Sequence, residues 1–75
     1  MELAVAFGTV LRDLRRRAGL TQEQLGFEAG LERNFISMLE RGERQPTLTS
    51  LVKLAKPLGI KASRLVHLVE DAAGL

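Results

Sequence analysis

The spacing of its breakers constrains this chain most. Gly19, Gly30, Gly42 with Pro46, and Pro57 with Gly59 cut it into five short pieces. Glycine and proline are the strongest local punctuation a sequence carries. Between them apolar residues recur at helical spacing, and the two-residue alternation of a strand is missing. The reading is all-α: a compact bundle of five helices over about 2–18, 21–29, 32–41, 48–58 and 62–70. A chain of 75 residues leaves no room for a second domain, so 1–75 is read as one. A chain this short buries only about 60–65% of its unfolded surface, and the core must be thin. There is no cysteine to staple it or to bind a metal as thiolate. Stability must come from well-formed helix packing or from a second copy of the chain.

The first piece places Leu3, Phe7, Val10, Leu11, Leu14 and Ala18 on one face, with the arginines mostly opposite. Gly19 suits the left-handed residue that closes a helix. The second opens with "LTQEQL". Thr21 can cap the free N–H groups and Gln24 can reach back to it, while Leu20 and Leu25 stand at the staple positions. The third carries Ile36 and Leu39, with Leu31 leading in. The fourth has Thr47 as N-cap and Leu48, Leu51, Leu54, Ala55 and Leu58 as its apolar positions. Pro57 removes a bond to the Lys53 carbonyl and is expected to bend or end that helix.

The span Gln22–Arg41 stands out. Leu25, Ile36 and Leu39 can form the shared core of two crossing helices. Gly30 supplies the positive φ that a tight helix-to-helix turn requires, and Gly26 and Ala29 are small where one helix presses on the other. These features predict a helix-turn-helix over 22–41, with 32–41 as its second helix.

Charge is modest in sum and uneven in distribution. Lys plus Arg exceed Asp plus Glu by 11 to 9, a formal charge of +2. Arg12, Arg15, Arg16 and Arg17 cluster early, and Arg33, Arg41 and Arg44 sit mid-chain. "MELAVAFGTVL" has Glu2 where a secretory signal needs positive charge. No apolar run approaches the ~20 residues that cross a bilayer. The expectation is a soluble cytoplasmic protein without a membrane partner. There is no nucleophile–base–orienter set, no Gly-rich phosphate loop and no paired carboxylates, so the chain does not read as an enzyme. His67 stands alone, and no metal or other cofactor and no small-molecule effector is expected.

The motifs "TQEQL", "IS.LERG" and "P.L..L..LA" together resemble the phage-repressor and Cro type of helix-turn-helix domain, the XRE family, over roughly Phe7 to Leu68. Length, "ERNFIS" and "ERGERQPTL" look most like its short stand-alone regulators, including the controller proteins of restriction–modification systems. The resemblance implies a lambda-repressor-like five-helix fold in a bacterial or phage, nucleoid-associated protein. It also implies double-stranded DNA as partner, with the third helix in the major groove. Arg33, Asn34, Phe35 and Ser37 would then face base edges, and Gln22, Arg41, Arg44 and Thr47 the phosphates. The chemistry suits those roles: Arg can bond guanine O6 and N7, Asn adenine N6 and N7, and Phe can touch a thymine methyl. Each also has a plainer reading. Arg33 and Ser37 can be solvated surface, Asn34 can serve a phosphate, Gln22 can be an ordinary first-turn residue, and Phe35 can turn inward with Leu31 four residues before it. The resemblance further implies that Glu40 pairs with Arg15 as a structural ion pair. Arg12, Arg16 and Arg17 remain as general electrostatic attraction or as solubility. Two departures stand out: Glu32 where the family often has Ser, and Gly26 where Ala is usual.

The last piece offers Leu65, Val66, Leu68 and Val69, apolar on more than one side. Leu65 and Leu68 are expected in the core, leaving Val66 and Val69 for a homodimer. A two-fold dimer would hold its reading helices about 34 Å apart and match an inverted-repeat operator. Fold alone does not prove DNA binding. The rival reading is a protein-interaction module, such as the antitoxin of a toxin–antitoxin pair.

Overall fold

The computed structural model describes residues 1–75. Five helices follow in order: α1 (Leu3–Arg17), α2 (Gln22–Ala29), α3 (Arg33–Glu40), α4 (Leu48–Ala55) and α5 (Ala62–Ala73). There is no strand. Phe7 and Leu11 of α1, Leu25 and Ala29 of α2, Ile36 and Leu39 of α3, Leu54 of α4, and Leu65 and Val69 of α5 meet in one core. Both α3 and α5 pack on α1, and α2 packs on α3. The third helix is therefore held from two sides and presents its remaining face outward. No helix is long and apolar enough to cross a membrane.

The seam of α1 is rotated from the one expected. Ala4, Phe7, Gly8 and Leu11 are buried, whereas Leu3 at one end and Ala18 at the other are exposed. Gly8 explains the shift. A Cβ built there would lie 2.5 Å from the carbonyl oxygen of Leu39 and 2.6 Å from that of Glu40. Only glycine lets the backbones of α1 and α3 approach this closely.

Thr21 and Gln24 form the expected capping box. The Gln24 N–H donates to Thr21 Oγ1 at 3.0 Å, and the Thr21 N–H donates to Gln24 Oε1 at 2.9 Å. The turn into α3 runs through Gly30 at φ 70°. The Leu31 N–H donates to the Gly26 carbonyl at 2.8 Å, closing α2. Gly26 is more than a weak substitute for alanine: a Cβ there would lie 2.6 Å from the Leu31 carbonyl oxygen, so glycine permits the turn.

Two boundaries differ from the sequence reading. α4 ends at Ala55, not near Leu58, and Pro57 lies in the turn that follows. Pro57 has no N–H to continue the ladder. The Ile60 N–H instead donates to the Ala55 carbonyl at 3.2 Å and closes the turn. α5 runs three residues beyond Glu70, to Ala73. Its buried residues are Leu65 and Val69, one turn apart, while Leu68 is half-buried. Val69, expected toward a partner, thus belongs to the core, and Leu68, expected in the core, is only partly covered. The face of α5 toward α1 is set by an i, i+4 pair and not by an i, i+3 pair.

Candidate nucleic-acid interface

α3 divides by position. Ile36, Leu39 and Glu40 are buried, and Arg33 and Asn34 in its first turn are exposed. Glu32, at its N-cap, makes no side-chain capping bond, as its long side chain suits that role poorly. The first turn nevertheless forms, because the helix is anchored from its apolar seam.

Gln22, the first residue of α2, stands beside this turn. With Arg33, Asn34 and Ser37 it lines a cleft of about 370 Å³ that has no apolar wall. Four residues predicted to meet DNA are thus brought together by the helix-turn-helix. A second hollow of about 460 Å³ continues the surface past Arg33 and Gln22 toward Arg15 and Thr21.

Phe35 lies apart from that cleft. It is half-buried and packs against the core, its inward reading. The outer face of its ring sits under Arg44, whose Cζ is 5.9 Å from the ring centroid. Such a contact contributes about 0.5–1 kcal/mol at an exposed site and ties the loop after α3 to the helix. Arg44 has no carboxylate partner, unlike Arg41. Arg41 donates to both oxygens of Glu43, at 2.8 and 3.2 Å, and to Ser37 Oγ at 3.0 Å. Its guanidinium is already occupied within the loop. Thr47 is the N-cap of α4, where its Oγ1 accepts from the Ser50 N–H at 3.0 Å.

Glu40 is the electrostatic centre of the molecule. Its side chain has no solvent exposure. Arg15 donates from Nε to Oε2 at 2.6 Å and from Nη2 to Oε1 at 3.0 Å, and its Nη1 donates to the Leu20 carbonyl at 2.9 Å. Oε1 also accepts from Gln22 Nε2 at 3.1 Å and Arg12 Nε at 3.4 Å. Burial by itself pushes the carboxyl pKa up. Hydrogen bonds from Arg15 and Gln22, together with the Arg15 charge, outweigh it and hold the group below the usual glutamate value. The same bond to Glu40 raises the pKa of Arg15. No buried side-chain polar atom is left without a partner. Arg12 and Gln22 were missed as partners of Glu40. Arg12 had a visible signal, one turn before Arg15 on the same helix, but Gln22 had none in the linear sequence.

On another side of the molecule lies an apolar groove of about 190 Å³, lined by Leu3, Phe7, Pro46, Leu51, Val66 and Val69 among others. Val66 is 41% exposed at its edge, whereas Val69 at 7% belongs to its floor. Leu48, counted among the apolar positions of the fourth piece, and Val52, one turn on along α4, add 78% and 56% exposed apolar side chains.

The fold and this polar tip define a helix-turn-helix module. The family model described as Helix-turn-helix matches residues 11–65, and the chain belongs to that family. It is 39% identical over 66 residues to an HTH-type transcriptional regulator, y4dJ, of Sinorhizobium fredii, covering 88% of this chain and 86% of the relative. It is 35% identical over 65 residues to the control protein C.BamHI of Bacillus amyloliquefaciens, covering 85% and 80%. Among solved structures, the restriction–modification controller protein C.AhdI of Aeromonas hydrophila superposes with a TM-score of 0.79 at 44% identity, covering 83% of this chain and 94% of that one.

Proposed function

We propose that this chain is a sequence-specific double-stranded DNA-binding transcriptional regulator of the restriction–modification controller type. In this reading it binds an inverted-repeat operator as a homodimer, with α3 in the major groove. The observation that carries the reading is the cleft in which Gln22, Arg33, Asn34 and Ser37 meet at the exposed start of α3. Arg33 and Asn34 are the direct base readers, since both are exposed and can bond bidentately to guanine and adenine. Ser37 and Phe35 are half-buried and contribute less, Ser37 through a hydroxyl already bonded to Arg41 and Phe35 through what Arg44 leaves uncovered for a thymine methyl. Arg44, free of any carboxylate and steadied by Phe35, is the main phosphate contact of the exit loop. Arg41 and Thr47 border the same phosphate path, and Arg41 must release Glu43 to reach it. Phosphate contacts fix register and make affinity salt-dependent.

Pairing of two copies runs through the α5 face, where Val66 sits at the edge of the apolar groove and Val69 supplies its floor. Val66→Asp places a charge in that contact and is expected to yield monomers. An unchanged dimer mass in sedimentation would place the interface elsewhere, with the exposed Leu48–Val52 stripe next in line. The reading as a whole is tested by selecting bound duplexes from a random-sequence DNA pool at near-physiological salt. The expected result is an inverted repeat with half-sites about one turn apart. Recovery of no motif by the folded protein would overturn the DNA-binding reading in favour of a protein-interaction module.

A further inference from the structure

An ionised carboxylate only accepts hydrogen bonds, so it dictates which end of a neighbouring amide faces it. Glu40 does this to Gln22, taking a proton from Nε2 at 3.1 Å. With the amide turned the other way, the Gln22 carbonyl oxygen would lie against a carboxylate oxygen. Two acceptors would then face each other with no proton between them, at a side chain with no solvent exposure. Arg15 keeps Glu40 charged, so this constraint holds throughout the neutral range. The Gln22 amide is left with one proton and its Oε1 oxygen unpartnered within the protein. Its side chain lines the same cleft as Arg33, Asn34 and Ser37.

We propose that Glu40 is a positioning residue for Gln22, fixing its carbonyl oxygen as the free acceptor at this cleft, and that Gln22 thereby selects a base carrying an exocyclic amino group. The inference rests on the DNA-binding reading and deepens it. Phosphate oxygens only accept, so the backbone cannot satisfy a second acceptor. In the major groove the available donors are the amino groups of adenine N6 and cytosine N4. Arg33 beside it is donor-only and suits guanine. The cleft thus sets two neighbours of opposite polarity side by side; the remaining Nε2 proton of Gln22 can still donate to a phosphate, and its oxygen adds a base preference to that contact.

Two measurements test this. In the wild-type protein, the Gln22 Nε2 proton bonded to Glu40 should be protected from solvent exchange by NMR relative to the amides of the exposed Gln24 and Gln45. Exchange as fast as at those two residues would overturn the positioning role. Selection from the random DNA pool is then repeated with Gln22→Met, Glu40→Gln and the Gln22→Met/Glu40→Gln double variant. Gln22→Met should relax the preference for adenine or cytosine at one position per half-site by roughly threefold to tenfold, the worth of one neutral hydrogen bond. Glu40→Gln should relax the same position, and the double variant no further than Gln22→Met alone. A wild-type preference that Gln22→Met leaves intact, or additive losses in the double variant, would overturn the inference. Gln22→Met and the NMR measurement decide the matter even where Glu40→Gln does not fold. A wild-type protein that recovers no motif removes the DNA-binding reading and this inference with it. A recovered motif with any of the failures above removes the inference alone.

Discussion

The two ends of α3 differ in what surrounds them: the C-terminal end is buried and the first turn is exposed. The helix has eight residues and is about 12 Å long. At its C-terminal end, Leu39 and Glu40 are buried, and Glu40 gathers donors from α1 and from the start of α2. At its N-terminal end, Arg33 and Asn34 are exposed and make no side-chain hydrogen bond. One end holds the bundle together, and the other projects into solvent. On the proposed reading stability and recognition are thereby separated along a single short element, and substitutions at the two ends should have different kinds of consequence.

The largest expected effect lies at the buried end. Glu40→Ala strands Arg15 without its charge partner and should cost roughly 3–5 kcal/mol of stability, read by denaturant unfolding. The wild-type protein should also weaken in acid. The folded-state pKa of Glu40 is depressed, so its contribution is fully present above the usual value near 4.5 and is lost as the pH falls through the lower folded value. Glu40→Gln should flatten that acid limb. If unfolding midpoints of wild type and Glu40→Gln fall in parallel with acid, the buried end is not organised around this carboxylate.

Next comes Gly26→Ala, at the turn joining the two helices. Intrinsic propensity favours alanine by about 1 kcal/mol. The added Cβ, however, would sit 2.6 Å from a backbone carbonyl oxygen, which has little freedom to move. Overpacking of this kind costs about 1–3 kcal/mol, so the variant should be less stable by thermal melting. An increase in Tm would show that the turn yields easily.

At the exposed end the effects should appear in binding and leave folding alone. Arg33→Ala should cost about 1–3 kcal/mol at one or two operator positions. Arg44→Ala should weaken binding to every sequence and lower the salt slope by about one. Equal losses on all sequences for both variants would erase the distinction between reader and phosphate contact. The smallest expected effect is at Arg41 and Glu43, an ion pair whose side chains are about half exposed. Glu43→Gln should change stability by no more than about 1 kcal/mol, and by freeing Arg41 it should slightly strengthen binding in filter or anisotropy assays. A weakened complex would mean that the pair itself shapes the loop.

Much of this arrangement was legible in the linear chain. The capping box of Thr21 and Gln24 is a local contact over three residues, and its two bonds need nothing from the rest of the molecule. The same holds for Thr47 at the start of α4, and for Gly30, whose positive φ belongs to the turn itself. The core trio Leu25, Ile36 and Leu39 was readable because helical periodicity fixes which side chains share a face. Arg33, Asn34, Phe35 and Ser37 were singled out by the resemblance to the repressor family, and they lie off that seam or at its edge.

Tertiary structure decided what depends on which elements meet and how closely. The shifted seam of α1 follows from the contact of Gly8 with the α3 backbone, thirty-odd residues away in sequence. Val69 instead of Leu68 entered the core because the angle at which α5 lies on α1 selects one of two apolar stripes, and both are present in the sequence. Phe35 became a support for Arg44 only when the exit loop folded back over α3. The three donors on Glu40 come from residues 12, 15 and 22. Their convergence depends on long-range packing of three helices, for which a linear pattern carries no term. Local hydrogen bonding and periodicity act over one or two turns and are written in the sequence. The choice between faces, and the sharing of one buried charge, follow from packing a thin core so that no polar group is left unsatisfied.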